Sequence, residues 1–185
     1  MNSFYSEEEL SNIGFKSIGK NVKISRKSSI YSASNIEIGN NVRVDDFTIL
    51  SGHIKLNNFI HIAAYSALFA GNAGIIMEDF STISSKVTIY AISDDYTGNF
   101  MTNPTVPKEY TNVSTKKVIL KKHVIVGSGS TILPGVIIKE GAAVGAMCLV
   151  NKDLKEWGIY VGVPANFLKK RQQNLLTIEK NSLIL

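Results

Sequence analysis

From Leu120 to Val150 an aliphatic residue recurs at every sixth position: Leu120, Val126, Ile132, Ile138, Val144 and Val150. Four residues after each of the first five stands a small or β-branched residue: Val124, Ser130, Val136, Ala142 and Cys148. A helix would give a period of 3.6 and a half-buried strand a period of 2, so neither produces this spacing. A six-residue period is the mark of a β-helix solenoid, whose short strands lie on flat faces and turn at corners. Ile38, Val44, Leu50, Leu56, Ile62 and Leu68 keep the same spacing, with Val42, Thr48, Ile54, Ile60 and Ser66 in the second slot. Ile18, Ile24 and Ile30 precede them. The frame slips by two residues before Ile38 and again between Leu68 and Ile76, as corner insertions in a solenoid allow.

The rest of the chain is organised around these coils. Ser6 followed by Glu9 has the form of a capping box, which predicts a short helix over 7–12 closing the first coil. This gives an N-terminal capping unit at 1–16, a β-helix domain at 17–155 and a C-terminal segment at 156–185. Between 91 and 117 the rhythm vanishes in favour of Asp94, Asp95, Gly98, Asn103, Pro104 and Pro107, all turn formers. An irregular loop of this length inside a compact repeat domain is unusual and often functional. Coils resume at Leu120 and end near Leu154, and the tail reads as a helix over 165–176.

Composition excludes several classes. The 185 residues are 44% hydrophobic and 19% charged, with a net charge of +5, which is a globular balance. No basic run interleaved with aromatics marks a nucleic-acid surface. No apolar run reaches the ~20 residues of a membrane span, and the polar, acidic start is not a signal peptide, which predicts a cytoplasmic protein. Cys148 has no partner for a disulfide and occupies a packing slot. No His/Cys/Asp cluster has metal-ligand spacing.

With loop and tail placed beside the repeats, the chain resembles the left-handed β-helix hexapeptide acyltransferases. Three stretches carry the likeness: Val126-Gly127-Ser128-Gly129-Ser130 with Leu133-Pro134-Gly135-Val136, then Val144-Gly145-Ala146 with Val150-Asn151-Lys152-Asp153, then Val161-Gly162-Val163-Pro164-Ala165. The last matches a Gly-Asn-Pro-Ala motif with Val163 in place of Asn. Within that group the chain is similar to the viosamine-type acyltransferases that act on dTDP-4-amino-4,6-dideoxyglucose in surface-polysaccharide synthesis. Met1-Asn2-Ser3-Phe4-Tyr5-Ser6, His61-Ile62-Ala63-Ala64-Tyr65, Asp94-Asp95-Tyr96-Thr97-Gly98-Asn99 and Lys121-Lys122-His123-Val124-Ile125 support this.

The resemblance implies an all-β, left-handed parallel β-helix with a short N-terminal helix, a protruding loop and a C-terminal helix. The left hand comes from the family, since parallel crossovers are otherwise right-handed. It also implies a homotrimer that uses acetyl-CoA and takes a nucleotide sugar, while composition and spacing point to no metal and no nucleic acid. Active sites would lie between subunits. Gly127, Ser128, Gly145, Ala146 and Pro164 would line the coenzyme groove, and Lys169 and Lys170 would meet phosphates. Gly127 and Gly145 also suit tight corners without any ligand.

Many members carry a catalytic histidine in a run such as Ile-Tyr-Thr-Ala-Thr-His, where this chain has Ile89-Tyr90-Ala91-Ile92-Ser93-Asp94. Asp94 thus stands at the histidine position. An ordinary aspartate, with a pKa of ~3.9, is a poor base for a hydroxyl at neutral pH. An amine with a pKa near ~8 is already partly unprotonated there and needs no strong base, so the aspartate favours N-acylation. His61 is the alternative base. Asp95, Tyr65, Tyr96 and His123 are candidates for substrate contact, against the plainer readings of turn, corner and surface residues. Two further readings remain: a sugar O-acetyltransferase, and a non-catalytic β-helix scaffold subunit. A metal-dependent, carbonic-anhydrase-like helix is disfavoured by only three histidines without matching spacing.

Overall fold

The computed structural model describes residues 3–182; Met1 and Asn2, the first residues of one stretch quoted above, lie outside them. The chain winds into a parallel β-helix with three flat faces. The first face stacks Ser17–Ile18, Ile36–Ile38, the ends of Ile49–Leu56 and Ala67–Met77, then Val118–Leu120 and Ile137–Ile138. The second stacks Lys23–Ile24, Arg43–Val44, His61–Ile62, Thr82–Ile83, Ile125–Val126, Ala143–Val144 and Gly158–Val161. The third stacks Ser29–Tyr31, the starts of Ile49–Leu56 and Ala67–Met77, then Thr88–Tyr90, Thr131–Ile132 and Leu149–Val150.

The six-residue register sets what is inside. Ile24, Val44, Ile62, Ile83 and Val126 are fully buried in one column, and Leu50, Leu68, Ile89, Ile132 and Val150 in another. Removing such a side chain from water contributes about 1.5–3 kcal/mol, so the columns are the main source of stability. The second slot is filled by Val42, Ile54, Ile60, Val124, Val136, Ala142 and Cys148, all buried. At two of its polar positions the hydroxyl is paired: Thr48 donates to the Asp45 carbonyl at 2.9 Å, and Ser130 to that of Gly145 at 2.9 Å. Ser81, four residues after Met77, is instead buried with its hydroxyl unpaired among the described residues. A buried hydroxyl left unpaired costs stability, so these bonds offset that cost at Thr48 and Ser130 and nothing does so at Ser81.

At one corner, successive coils place Asn21, Asn41, Phe59, Phe80, His123, Gly141 and Trp157 in the left-handed backbone region, with φ between 53° and 65°. Asparagine visits this region readily, and bulky side chains do not. Here the rings compensate by stacking: Phe59 on Phe80 at 4.7 Å and Phe80 on His123 at 5.2 Å between centroids.

Three details depart from the sequence-based expectations. The second slip in register is three residues, not two, because Leu56 pairs with Met77 and Ile54 with Ile75. Met77 is buried and Ile76 faces outward. The coils do not end at Leu154: Gly158–Val161 continues the second face, with Val144 opposite Tyr160. The tail is not a helix over 165–176. Asn166–Lys170 is a strand antiparallel to Gly158–Val161, and the helix α2 follows at Asn174–Asn181. The reason is the free edge of the last full strand, whose backbone groups need partners that a returning strand supplies.

At the other end helix α1 covers Glu7–Asn12, with both bonds of its capping box present: the Ser6 hydroxyl accepts from the Glu9 amide, and the Glu9 carboxylate accepts from the Ser6 amide at 2.7 Å. The Glu9 carboxylate also pairs with Arg26, tying the cap to the first coil.

Candidate functional site

The long excursion between the coils is not shapeless. It leaves the third face at Ile92–Ser93 and returns at Ser114–Thr115, and these segments pair antiparallel. Farther out the Met101 amide donates to the Tyr110 carbonyl at 2.9 Å, and the Asn103 side chain closes a turn by accepting from Thr105. The loop arches over the third face and encloses a cleft of about 1000 Å³. Phe69, Tyr90, Leu133 and Thr131 contribute from the coils, and Asp94, Tyr96, Lys108 and Val113 from the loop. Phe69 and Tyr90 stack at 5.3 Å between centroids. A mostly apolar cleft with a few polar groups is the usual form of a small-molecule site.

Asp94 and Tyr96 therefore share one cleft, as their place in the sequence leads one to expect. The Asp94 side chain is exposed there and makes no hydrogen bond or ion pair among the described residues. Asp95 differs. Its carboxylate accepts from the Thr97 hydroxyl at 2.9 Å and the Phe100 amide at 3.3 Å, which closes the turn. Burial pushes the Asp95 carboxyl up, but hydrogen bonds from Thr97 and the backbone of Phe100 and Asn99 outweigh it and leave it below its ordinary range.

The remaining candidates lie elsewhere on the subunit. His61 is on the second face, where its Nε2 sits 2.8 Å from the Asp45 carboxylate. The other oxygen of Asp45 accepts from Arg43 at 2.7 Å. Burial raises the Asp45 carboxyl, and these two partners more than offset it, so it is held below its ordinary range. Tyr65 is an exposed corner residue stacked on Phe47 at 4.9 Å.

His123 is buried beneath the C-terminal segment. Its Nε2 lies 2.8 Å from Glu179, which Lys122 also grips, and its carbonyl accepts from Arg171 at 2.9 Å. The Lys122 ammonium, ahead of the His123 bond, keeps the Glu179 carboxyl below its usual range.

Gly127 and Gly145 are where successive coils touch. A Cβ on Gly127 would lie 2.5 Å from the Ala146 amide nitrogen, whereas one on Gly145 would meet a Val161 methyl carbon at 3.0 Å. Ser128 and Ala146 are exposed beside them, Pro164 is exposed at the terminal turn, and Lys169 and Lys170 are exposed on the returning strand. None of these lines the cleft that holds Asp94. Among the described residues no group of three or more His, Cys, Asp and Glu could hold a metal.

Two features of the cleft escaped sequence reading. Phe69 and Tyr90 each follow an inward residue, Leu68 and Ile89, and so project outward on adjacent coils; that offset was a usable signal. Lys108 has none, because it lies where the repeat is lost.

No family model matches the chain. It is 46% identical over 180 residues to a dTDP-4-amino-4,6-dideoxy-D-glucose acyltransferase of Escherichia coli, covering 96% of this chain and 93% of that protein. A serine variant of AntD, an N-acyltransferase from Bacillus cereus, has been solved in complex with dTDP-4-amino-4,6-dideoxyglucose and coenzyme A. It superposes with a TM-score of 0.95 at 55% identity, over 97% of this chain and 96% of that one. AntD in complex with dTDP and 3-hydroxybutyryl-CoA gives a TM-score of 0.95 at 56% identity, with the same coverage. From a near-full-length relative and a shared coiled fold, the chain belongs to the hexapeptide-repeat acyltransferases, in the family of the dTDP-4-amino-4,6-dideoxyglucose acyltransferases.

Proposed function

We propose that the protein transfers an acyl group from acyl-coenzyme A to the 4-amino group of dTDP-4-amino-4,6-dideoxyglucose, as a step in building a surface polysaccharide. The observation that carries this reading is the near-full-length similarity to acyltransferases bound to, or named for, that sugar. The unpartnered carboxylate of Asp94 in an otherwise largely apolar cleft supports it.

In this reading Asp94 accepts a hydrogen bond from the sugar's ammonium and orients the nitrogen, and the ammonium gives up one proton to water before it reacts. The unprotonated amine attacks the thioester carbonyl carbon. The C–N bond forms, the C–S bond breaks as the tetrahedral intermediate collapses, and the nitrogen proton passes by way of Asp94 to the departing thiolate or to water. Because an amine near pH 7 is already partly unprotonated, the carboxylate acts mainly by position and charge.

Three copies assemble, with Gly127, Ser128, Gly145 and Ala146 of the late coils along the coenzyme groove and Lys169 and Lys170 at its phosphates. Exposed Met147, Val163, Phe167 and Leu168 on those coils and the returning strand are suited to burial by a neighbour or a ligand. His61 and Tyr65 serve substrate binding from a different face, and a cytoplasmic enzyme would meet both co-substrates. Among the described residues no helix is long and apolar enough to cross a membrane.

A panel of dTDP- and UDP-linked amino sugars, each offered with acetyl-CoA and with 3-hydroxybutyryl-CoA while free thiol is followed, tests this. Fastest release is expected with the dTDP 4-amino sugar; no release with any amino sugar would refute the proposal.

A further inference from the structure

Two opposite charges share the cleft without meeting. Asp94 and Lys108 both line it, yet no ion pair joins them, and neither side chain has a hydrogen-bond or ion-pair partner among the described residues. Charges placed only to neutralise one another would pair. A free carboxylate and a free ammonium held apart in one cavity instead suit a ligand that carries both complementary charges.

The position of Lys108 is built, not incidental. It opens the short 3-10 turn Lys108–Tyr110, and its carbonyl accepts from the Thr111 amide at 3.2 Å and hydroxyl at 3.3 Å. The Tyr110 carbonyl is in turn held by the Met101 amide. The backbone beneath the lysine is thus fixed while its side chain stays exposed.

We infer that Lys108 binds the diphosphate of the nucleotide sugar while Asp94 holds its amine. This rests on the amino-sugar reading above, because such a substrate carries an ammonium at one end of the hexose and a diphosphate at the other. A lysine serves as a compact point charge for phosphate. The shared chemistry is an anionic phosphate, which coenzyme A also carries, and the inference commits to the nucleotide sugar.

Lys108→Ala should raise the KM for dTDP-4-amino-4,6-dideoxyglucose by roughly 10- to 100-fold, the range expected for losing one charge-assisted hydrogen bond. The KM for acetyl-CoA should stay within about twofold, and Lys108→Arg should recover most of the loss. Titration calorimetry with dTDP and with thymidine gives a readout that needs no turnover. dTDP affinity should fall in Lys108→Ala while thymidine affinity holds, and the difference should shrink at high salt. An effect confined to acetyl-CoA would assign Lys108 to the coenzyme's phosphates and overturn the inference. Equal dTDP affinity in wild type and Lys108→Ala would overturn it too, even if the wild type acylates the sugar normally. If the wild type bound dTDP through Lys108 but acylated no amino sugar, the site would stand and the reaction reading would fail.

Discussion

Replacing Asp94 by asparagine keeps the side chain's size and removes its charge, so it separates electrostatic holding of the amine from mere shape. Turnover should fall by up to ~10²–10⁴, the span usual for a positioned acid–base group. His61→Ala should cost less, and mainly in KM. Rate measurements on both variants check the order. The reverse order would make the His61–Asp45 pair the base, since an imidazole is better matched than a carboxylate to deprotonating a hydroxyl at neutral pH. Glycine gives a second residue-scale test. Gly127→Ala puts a methyl into the backbone of the next coil and should cost several °C in melting temperature. Gly145→Ala meets a Val161 methyl carbon at 3.0 Å and otherwise makes ordinary contacts, so it should be tolerated better. Equal stability of the two variants would contradict the assignment of Gly127 to coil stacking.

At the scale of elements, the N-terminal cap is an electrostatic clasp. Hydrogen bonding to Arg26, with the Ser6 amide next, lowers the Glu9 carboxyl from 4.5 to about 2. A carboxyl depressed on folding contributes stability that is present above its unfolded value and lost as pH falls through the folded one. Docking of α1 should therefore weaken between pH 4.5 and 2, and Glu9→Gln should abolish that pH dependence while lowering stability at neutral pH. Amide exchange across 7–12 would report it; unchanged protection at pH 2 would contradict the clasp. This cap was legible because Ser6 and Glu9 interact within four residues. The coils were legible because inward residues repeat, as Val44, Ile62 and Val126 do. What was not legible depended on partners distant in sequence. Met77 rather than Ile76 turns inward because Leu56 fixes its register. Asn166–Lys170 is a strand because Gly158–Val161 offers an open edge, although Leu168 and Leu175 mimic helical spacing. In the site, Asp94 could be placed by its run, but the burial of His123 under Glu179 joins residues 56 positions apart, which no local pattern reveals.

For the whole molecule, a solenoid leaves its outward rows free to do chemistry, because each coil needs only its neighbours to fold. The third face supplies a rigid aromatic floor, and the loop brings Asp94 and Lys108 above it. The second face carries His61, and the late coils carry the proposed coenzyme groove. A single subunit thus displays its candidates on separate surfaces, and assembly is what would bring further groups to the cleft. Sedimentation equilibrium should find a trimer at micromolar concentration; a fully active monomer would contradict shared sites. The bond that is made distinguishes transfer to an amine from transfer to a hydroxyl. The purified protein should be incubated with dTDP-4-amino-4,6-dideoxyglucose and acetyl-CoA, and the acylated product treated with mild alkali before mass analysis. The product should be an amide that keeps its acyl group. Loss of that group on treatment, the mark of an ester, would contradict transfer to the amine.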